Sequence, residues 1–500
     1  MPRASRPLAT LALVALSGLV WGAAFAARPF LPLSFVALVP LLLTLGRFRH
    51  PFLLGWWHGV LFWGSSMVWI LGTLTTYGQL SGWLAGLSLL LMSLFLGSYT
   101  ALFAGLGAML WRSGGWRAVL GLPALWLVLE VARGHLFTGF PWNLAAYAWT
   151  RLPGALPLAA WIGAWGVSFL VLFVNVAVAR GVAAKRWEGA AAALLTALLL
   201  LAAGGRWGAG EPATNPGHTA VIVQPDTPNQ VGFDPRVFEK DYARLIAMST
   251  AACEEGALLL WPESAAWPLS YERDPRLAAD IARLTARGCS VLFNSSRLAG
   301  GRSYNAMMLA DEDGSMASYD KRHLVPFGEY VPLSGIFTFI PSIARNAGDF
   351  SPATDLHLLP WQGEELGPAV CYEVVFPGEV AEGVRAGATF LVSVTNDAWY
   401  GDTAAPWQHL AAARFRAAEN RRYLLRAAIT GVSAAIAPDG SLAGSLGVGE
   451  RGTIRVQVEG SREFSPFSRA PFAVPLLAAL LLAAAGLAAQ RARRSATPSD

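Results

Sequence analysis

The sequence predicts two fold classes on one chain: a polytopic α-helical membrane domain of about eight spans, and an extracytoplasmic α/β domain set before the last span. Three observations carry this. Of 500 residues, 54% are hydrophobic and only 14% charged, and the mean hydropathy is +0.42, which is not a soluble profile. The apolar excess is gathered into recurrent stretches that approach the length needed to cross a bilayer. From about Gly217 to Gln457 the pattern changes to short β-rich runs alternating with helical ones.

The membrane part, residues 1–206, opens with basic MPRASR and an apolar core from Leu8 to Val20, which mimics a secretory signal. Further apolar stretches follow almost at once, so an uncleaved first helix is expected. They recur near residues 30–45, 53–75, 82–110, 118–133, 156–180 and 188–204, and the stretch at 30–45 contains Pro32 and Pro40. The charges alternate by side. Arg3 and Arg6 precede the first stretch, and Arg47, Arg49, Arg112, Arg117, Arg180, Lys185 and Arg186 follow alternate ones, with Arg133 and Arg151 as exceptions. By the positive-inside rule both termini are cytoplasmic, seven helices precede residue 206, and residues 471–489 form the last span. This places the α/β domain on the side of the membrane opposite the cytoplasm. Within the spans, Glu130 and Arg133 stand i,i+3 and read as a structural ion pair; His58, beside Trp56 and Trp57, reads as an interfacial residue.

In the α/β domain, TAVIVQ, ALLLWPES, CSVLFNSS, YNAMMLA, GPAVCYE and ATFLVSVTND read as buried strands. VFEKDYARLIAMSTAA and QHLAAARFRAAENRRYLLRAA read as helices. The net charge of +5 and pI of about 9.2 come largely from the ends of apolar segments, not from a basic stripe, so no nucleic-acid partner is expected. Cys253, Cys289 and Cys371 are too few for a disulfide framework; the first two are assigned to packing. No P-loop, dinucleotide fingerprint, HExxH or CxxC is present, so neither cofactor nor metal is expected.

Three residues at the ends of strand-like runs carry the chemistry. Glu263, in LLLWPES, is a carboxylate whose partial desolvation would raise its pKa and make it a general base, though alone it reads as readily as a turn glutamate. Lys321, in SYDKRHLVPFGEYVP, is a cation for an oxyanion or thiolate, or equally an exposed charged turn. Glu329, in the same apolar motif, would orient Lys321 or relay protons. Cys371, in GPAVCYE, is a thiol that a strand can present to a cleft, and singly it reads as an inert core cysteine. Together they supply a base, a stabiliser and a nucleophile.

WPES, YDKRHLVPFGEYVP and VCYE, in that order, resemble the Glu–Lys–Cys signatures of the carbon–nitrogen hydrolase (nitrilase) superfamily. FTGFPWNLAAY and the run VTNDAWYGDTAAPWQHL…ITGVSAAIAPDG are similar to its membrane-embedded branch, the apolipoprotein N-acyltransferases, and the resemblance covers essentially the full chain. It implies a four-layer α-β-β-α sandwich over residues 217–457 on the periplasmic side of a bacterial inner membrane, with Glu263 as base, Lys321 as transition-state stabiliser and Cys371 as nucleophile. Glu329 and Glu373 are implied as supporting carboxylates, and Tyr372, Asn396 and Asp397 as pocket residues. Asn396 and Asp397 read equally as a helix cap or turn. Phe233 and Ile429 depart from the family pattern, which often has Trp and Asn there.

The implied reaction is a two-step acyl transfer. A phospholipid acylates Cys371, and the α-amine of a diacylglyceryl-cysteine apolipoprotein takes the acyl chain from the thioester. The apolar segment with Ile336, Phe337, Phe339 and Ile340 reads as a lid dipping into lipid or as a locally packed loop. Two other readings stay open: a membrane-tethered amidase or nitrilase using water, and a transporter with a ligand-binding domain.

Overall fold

A computed structural model describes residues 7–26, 31–207, 217–229, 232–330 and 350–494. The chain divides into two compact units: one of residues 1–71, 82–208 and 470–500, the other of residues 72–81 and 209–469.

Among the described residues of the first unit, five helices are long and apolar enough to cross a membrane: Gly82–Ser113, Gly115–Arg133, Ala155–Ala184, Glu188–Arg206 and Ala473–Ala492. The pair Pro51–Ser66 and Trp69–Tyr77 passes the same test together but is bent by 54°. Leu8–Ala23 and Leu31–Thr44 are apolar but shorter. The expected reading of His58 as interfacial is corrected: it is fully buried, and neither ring nitrogen has a hydrogen-bond partner. A Cβ on Gly18 would lie 2.5 Å from the His58 carbonyl oxygen, so Gly18 lets the two helices approach at that point.

Glu130 and Arg133 are both buried, and besides acting on one another electrostatically they bond to the segment from Phe140 to Ala145. Arg133 donates to the carbonyls of Phe140 and Trp142. Glu130 accepts from the Ala145 amide at 2.8 Å and the Trp126 indole at 2.9 Å. The charges sit where backbone turns inside an apolar bundle, because that backbone has no water to bond.

The second unit is built on two six-stranded sheets. The first runs β12 (Gly452–Val458), β1 (His218–Gln224), β2 (Leu258–Leu260), β3 (Ser290–Ala299), β4 (Arg302–Ala310), β5 (Met316–Asp320). The second runs β11 (Leu442–Leu446), β10 (Ser433–Ile436), β9 (Leu424–Ala428), β8 (Phe390–Thr395), β7 (Glu364–Val370), β6 (Leu359–Trp361). The central strands β1, β2 and β3 are parallel, as are β7, β8 and β9.

Strand alternation separates two cores. Ala220, Ile222, Leu258, Leu260 and Leu292 of the first sheet pack with Leu366, Val370, Val392, Val394 and Leu425 of the second. Their neighbours Val221, Val223, Leu259 and Val291 pack instead with Tyr242 and Leu245 of helix Pro235–Ala252 and Leu277, Ile281 and Leu284 of helix Pro275–Thr285. Each residue named lies at 2% exposure or less, so the central strands are buried on both faces, which is why they read as continuous apolar runs.

Two sequence expectations change here. The pattern from Gln408 to Ala428 is not one helix: helix Ala405–Asn420 ends where Arg421 takes φ +50, and Leu424–Ala428 become β9. Leu, Arg and Ala fit a helix by propensity, but burial between β8 and β10 decides the outcome. Cys253 and Cys289 are not merely packing residues. They form a disulfide with Cα atoms 5.8 Å apart, joining the end of helix Pro235–Ala252 to the residue before β3.

Candidate active site

The site lies where chains leave the sheets. β7 ends at Val370, and Cys371 turns sharply with φ +51 into a 3₁₀ turn, Cys371–Val375. A left-handed φ is costly for a residue with a Cβ, and its place at a strand end puts the thiol on a tight elbow. Glu373 holds that elbow. Its Oε2 accepts from the Val370 amide at 2.7 Å. Its Oε1 accepts from the amides of Arg322 at 2.7 Å and His323 at 3.0 Å, and from the Tyr319 hydroxyl at 2.8 Å. One buried carboxylate therefore ties the cysteine turn to the segment carrying Lys321. Tyr372 is buried edge-on to Phe376, with centroids 5.0 Å apart, and faces His323.

Lys321 directly follows β5 and is 1% exposed. Its Nζ lies 2.9 and 2.8 Å from the two Glu329 oxygens and 3.9 Å from Glu263 Oε1. Burial works against its charge, but Glu329 and Glu263 outweigh burial and raise its pKa, so it stays a cation. Glu263 follows β2 after two intervening residues and is 6% exposed. It accepts from the Asn396 amide at 2.9 Å and from Asn305 Nδ2 at 2.9 Å. Burial raises its pKa, Lys321 lowers it, and Glu329 adds to the rise; the carboxyl ends above its ordinary value. Burial and Glu263 also push the Cys371 thiol up, with Lys321 pulling the other way.

Asn305, on β4, was not legible as a site residue. Its Nδ2 donates to Glu263 and, at 2.7 Å, to Glu329, bridging the two carboxylates; Asn294 Nδ2 donates to its Oδ1 at 2.6 Å. Three more residues were missed behind the thiol. Thr395 Oγ1 is 3.3 Å from Cys371 Sγ and 2.8 Å from Asp397 Oδ1. Arg426 Nη2 lies 2.7 Å from Asp397 Oδ2 and 3.1 Å from His409 Nδ1, and His409 Nε2 donates to the Cys371 carbonyl at 3.0 Å. Burial opposes the Asp397 charge, but Arg426 and His409 overcome it and hold the carboxyl at about 2. His409 Nδ1 also lies 3.1 Å from Asp397 Oδ1; burial, then Arg426, lowers the His409 pKa, while Asp397 and the Cys371 carbonyl pull it up. Gly431 makes room for this network: a Cβ there would lie 2.5 Å from both Cβ and Oδ2 of Asp397.

A cleft open to solvent adjoins Ser264 and Asn396. Its walls include Phe233, Phe238, Trp267, Trp399 and Ile429. Phe233 is half-exposed and meets Trp267 edge-on, with centroids 5.9 Å apart. Asn396 caps the turn Asp397–Tyr400 through the Ala398 amide, and its Nδ2 donates to Asn229 at 3.2 Å. It is thus both a cap and a cleft wall, whereas Asp397 lies behind the thiol. Phe337 and Phe339 lie outside the described residues. Among the described residues, no group of three or more His, Cys, Asp or Glu side chains is arranged to hold a metal ion.

Residues 17–177 match the family model described as the apolipoprotein N-acyltransferase N-terminal domain, and residues 222–463 match the carbon–nitrogen hydrolase model. The chain is 35% identical over 449 residues to the apolipoprotein N-acyltransferase of Geobacter metallireducens, covering 86% of this chain and 85% of that one. It is 33% identical over 485 residues to the enzyme of the same name from Bradyrhizobium diazoefficiens, covering 89% and 88%. Among solved structures, a variant of the Nesterenkonia AN1 amidase from the nitrilase superfamily matches 50% of this chain and 93% of its own, with 24% identity and a TM-score of 0.38. On these matches, the chain belongs to the apolipoprotein N-acyltransferase family.

Proposed function

We propose that this enzyme moves an acyl chain from a membrane phospholipid to Cys371 as a thioester, and then to the N-terminal amine of a diacylglyceryl-cysteine apolipoprotein. The observation that carries the reading is the buried cluster in which Glu263, Lys321 and Cys371 converge on strand ends, with Lys321 the cation among Glu263, Glu329 and the thiol.

The geometry suits the chemistry in three ways. Glu263, with its raised pKa, accepts the thiol proton; that transfer moves a negative charge from carboxylate to sulfur without changing the cluster's net charge. Lys321 stays protonated and faces the charge that develops on the ester oxygen. The apolar cleft beside Ser264 and Asn396 offers aromatic walls to an acyl chain. Collapse of the first tetrahedral intermediate expels lysophospholipid, which takes the proton held on Glu263. The carboxylate then takes the proton of the attacking amine, the C–S bond breaks as the amide forms, and the released Cys371 thiolate takes that proton back from Glu263. The order implies ping-pong kinetics.

The setting belongs to the same proposal. The two cores, one between the sheets and one under the helices, support a four-layer α-β-β-α domain. A count of eight spans follows if the bent pair and the two shorter apolar helices cross as well. The Cys253–Cys289 disulfide supports an extracytoplasmic domain, since such bonds persist in oxidising compartments.

The test is to incubate the purified protein with a phospholipid and a diacylglyceryl-cysteine lipopeptide, then weigh both peptide and protein. A peptide heavier by one acyl chain, through an enzyme adduct that Cys371→Ala abolishes, is expected. Hydrolysis of amides without acyl gain would favour a water-using amidase, and acyl transfer surviving in Cys371→Ala would overturn the nucleophile.

A further inference from the structure

Thr395 Oγ1 stands between two groups that both call on its single proton. It is 2.8 Å from Asp397 Oδ1 and 3.3 Å from Cys371 Sγ. All three side chains are buried, so water does not arbitrate. Asp397 is ionised by Arg426 and accepts only, so the Thr395 hydrogen points to the carboxylate at rest. A lone pair of Oγ1 then faces sulfur, and the resting thiol donates its S–H to Thr395. Once the thiol proton leaves for Glu263, that lone pair faces a thiolate, and the contact turns repulsive unless the hydroxyl rotates. Rotation about Cβ–Oγ1 turns the O–H to sulfur, while Asp397 keeps Arg426 as its donor.

We propose that Thr395 is a further catalytic residue: a hydroxyl switch that accepts from the Cys371 thiol at rest and donates to the thiolate when the nucleophile is formed. No covalent bond changes at Thr395. Its proton stays on oxygen, and the thiol proton goes to Glu263. Asp397, His409 and Arg426 are positioning residues, holding the hydroxyl at rest and the Cys371 carbonyl in place. The charged and titratable groups facing sulfur are Glu263 beyond β2, Lys321 beyond β5, and Asp397 and Tyr400 of the turn after β8. Thr395, which carries no charge, touches sulfur directly.

The inference rests on Cys371 being the nucleophile, and the two are separable. Transfer surviving in Cys371→Ala sinks that reading; an inactive Cys371→Ala beside an unaltered Thr395→Val sinks only this one. The experiment uses the full-length enzyme, in which Cys371 is the thiol outside the disulfide, so alkylation by iodoacetamide reports on it alone. Thr395→Val keeps the shape and removes the hydroxyl. Its kcat/KM for acyl transfer is expected to fall about 10- to 100-fold, the usual range for a hydrogen bond to a charged group. The pH midpoint of alkylation should move up by about one unit, because the thiolate has lost a donor. Thr395→Ser should restore both to within about threefold of the parent rate and close to its midpoint. If Thr395→Val does not fold, Thr395→Ala carries the same expectation. An unshifted midpoint, or Ser behaving like Val, would show that Thr395 only packs.

Discussion

Asn305 gives one amide nitrogen to two carboxylates, Glu263 at 2.9 Å and Glu329 at 2.7 Å. A buried and a partly buried carboxylate this close repel, and what offsets the repulsion is Lys321 and this shared donor. The consequence can be read in pH. Glu263 must be ionised to take the thiol proton, and burial already sets its pKa above the ordinary carboxylate value. Activity is therefore expected to fall, as pH drops, at a higher pH than an exposed glutamate would give. Asn305→Ala removes a donor from the charged form and so raises the Glu263 pKa further. The acid limb of kcat/KM should move up by roughly one unit, with about tenfold lower activity at neutral pH. A pH profile with an unmoved acid limb would show that Asn305 serves only β4. Glu373 differs in kind, although it too is buried beside Lys321. Its two oxygens are filled by four donors from β7, Tyr319 and the Arg322–His323 backbone, so it shapes the elbow and leaves no lone pair obviously directed at substrate. Glu373→Gln should accordingly lower stability by about 1–3 kcal/mol, since an amide nitrogen would face a donor, and its thermal unfolding midpoint should drop along with activity.

Among elements, the stretch Gly72–Ser81 is unexpected, because it interrupts the spans in sequence yet groups with the catalytic unit. Its π-helical segment, Thr73–Tyr77, reaches the turn Asp397–Tyr400. Tyr77 donates to the Ala398 carbonyl at 3.0 Å, Thr73 donates to the Trp399 carbonyl at 2.8 Å, and the Tyr77 ring meets Trp399 edge-on at 5.1 Å. That turn carries Trp399 on the cleft wall and Asp397 behind the thiol, so the segment braces both. Tyr77→Phe keeps the ring contact and loses the hydrogen bond, worth about 1 kcal/mol. If the brace acts through Trp399, KM for phospholipid should rise several-fold while kcat stays within about twofold; a loss confined to kcat would place the effect at Asp397. The elements also show what sequence could reveal. Glu263, Lys321 and Cys371 were legible because each follows a β-rich run and breaks its apolar pattern. Asn305, Thr395 and Arg426 were not, because they sit inside runs where a polar residue reads as ordinary alternation or, for LLRAA, as helix. His409 lies on a helix whose sequence gives no sign of which face meets the Cys371 elbow. Glu130 and Arg133 were legible as intramembrane charges, but their partners include backbone groups of a loop that periodicity does not describe.

For the whole molecule, the disulfide is the feature that separates stability from chemistry. Three cysteines permit three pairings, and nothing in their spacing selects one; the fold does, by bringing the end of helix Pro235–Ala252 to the start of β3. β2 and β3 are parallel, so Cys289, just before β3, lies at the opposite end of the sheet from Glu263, which follows β2. The bond therefore constrains the domain without touching the site. It closes 36 residues of chain, a constraint worth about 3–4 kcal/mol on loop entropy. Cys253→Ser with Cys289→Ser should thus leave kcat at 25 °C within about twofold of the parent, yet lower the unfolding midpoint by roughly 6–16 °C for a domain of this size. An equal loss of kcat at 25 °C would contradict the separation between bond and site. The same bond reports on sidedness. If the catalytic unit faces an oxidising compartment, trapping thiols in intact cells with an alkylating reagent before lysis should leave Cys253 and Cys289 unmodified and Cys371 alone available. Alkylation of all three cysteines in unreduced cells would instead place the domain on the reducing side, and the orientation inferred from the arginine and lysine pattern would have to be reversed.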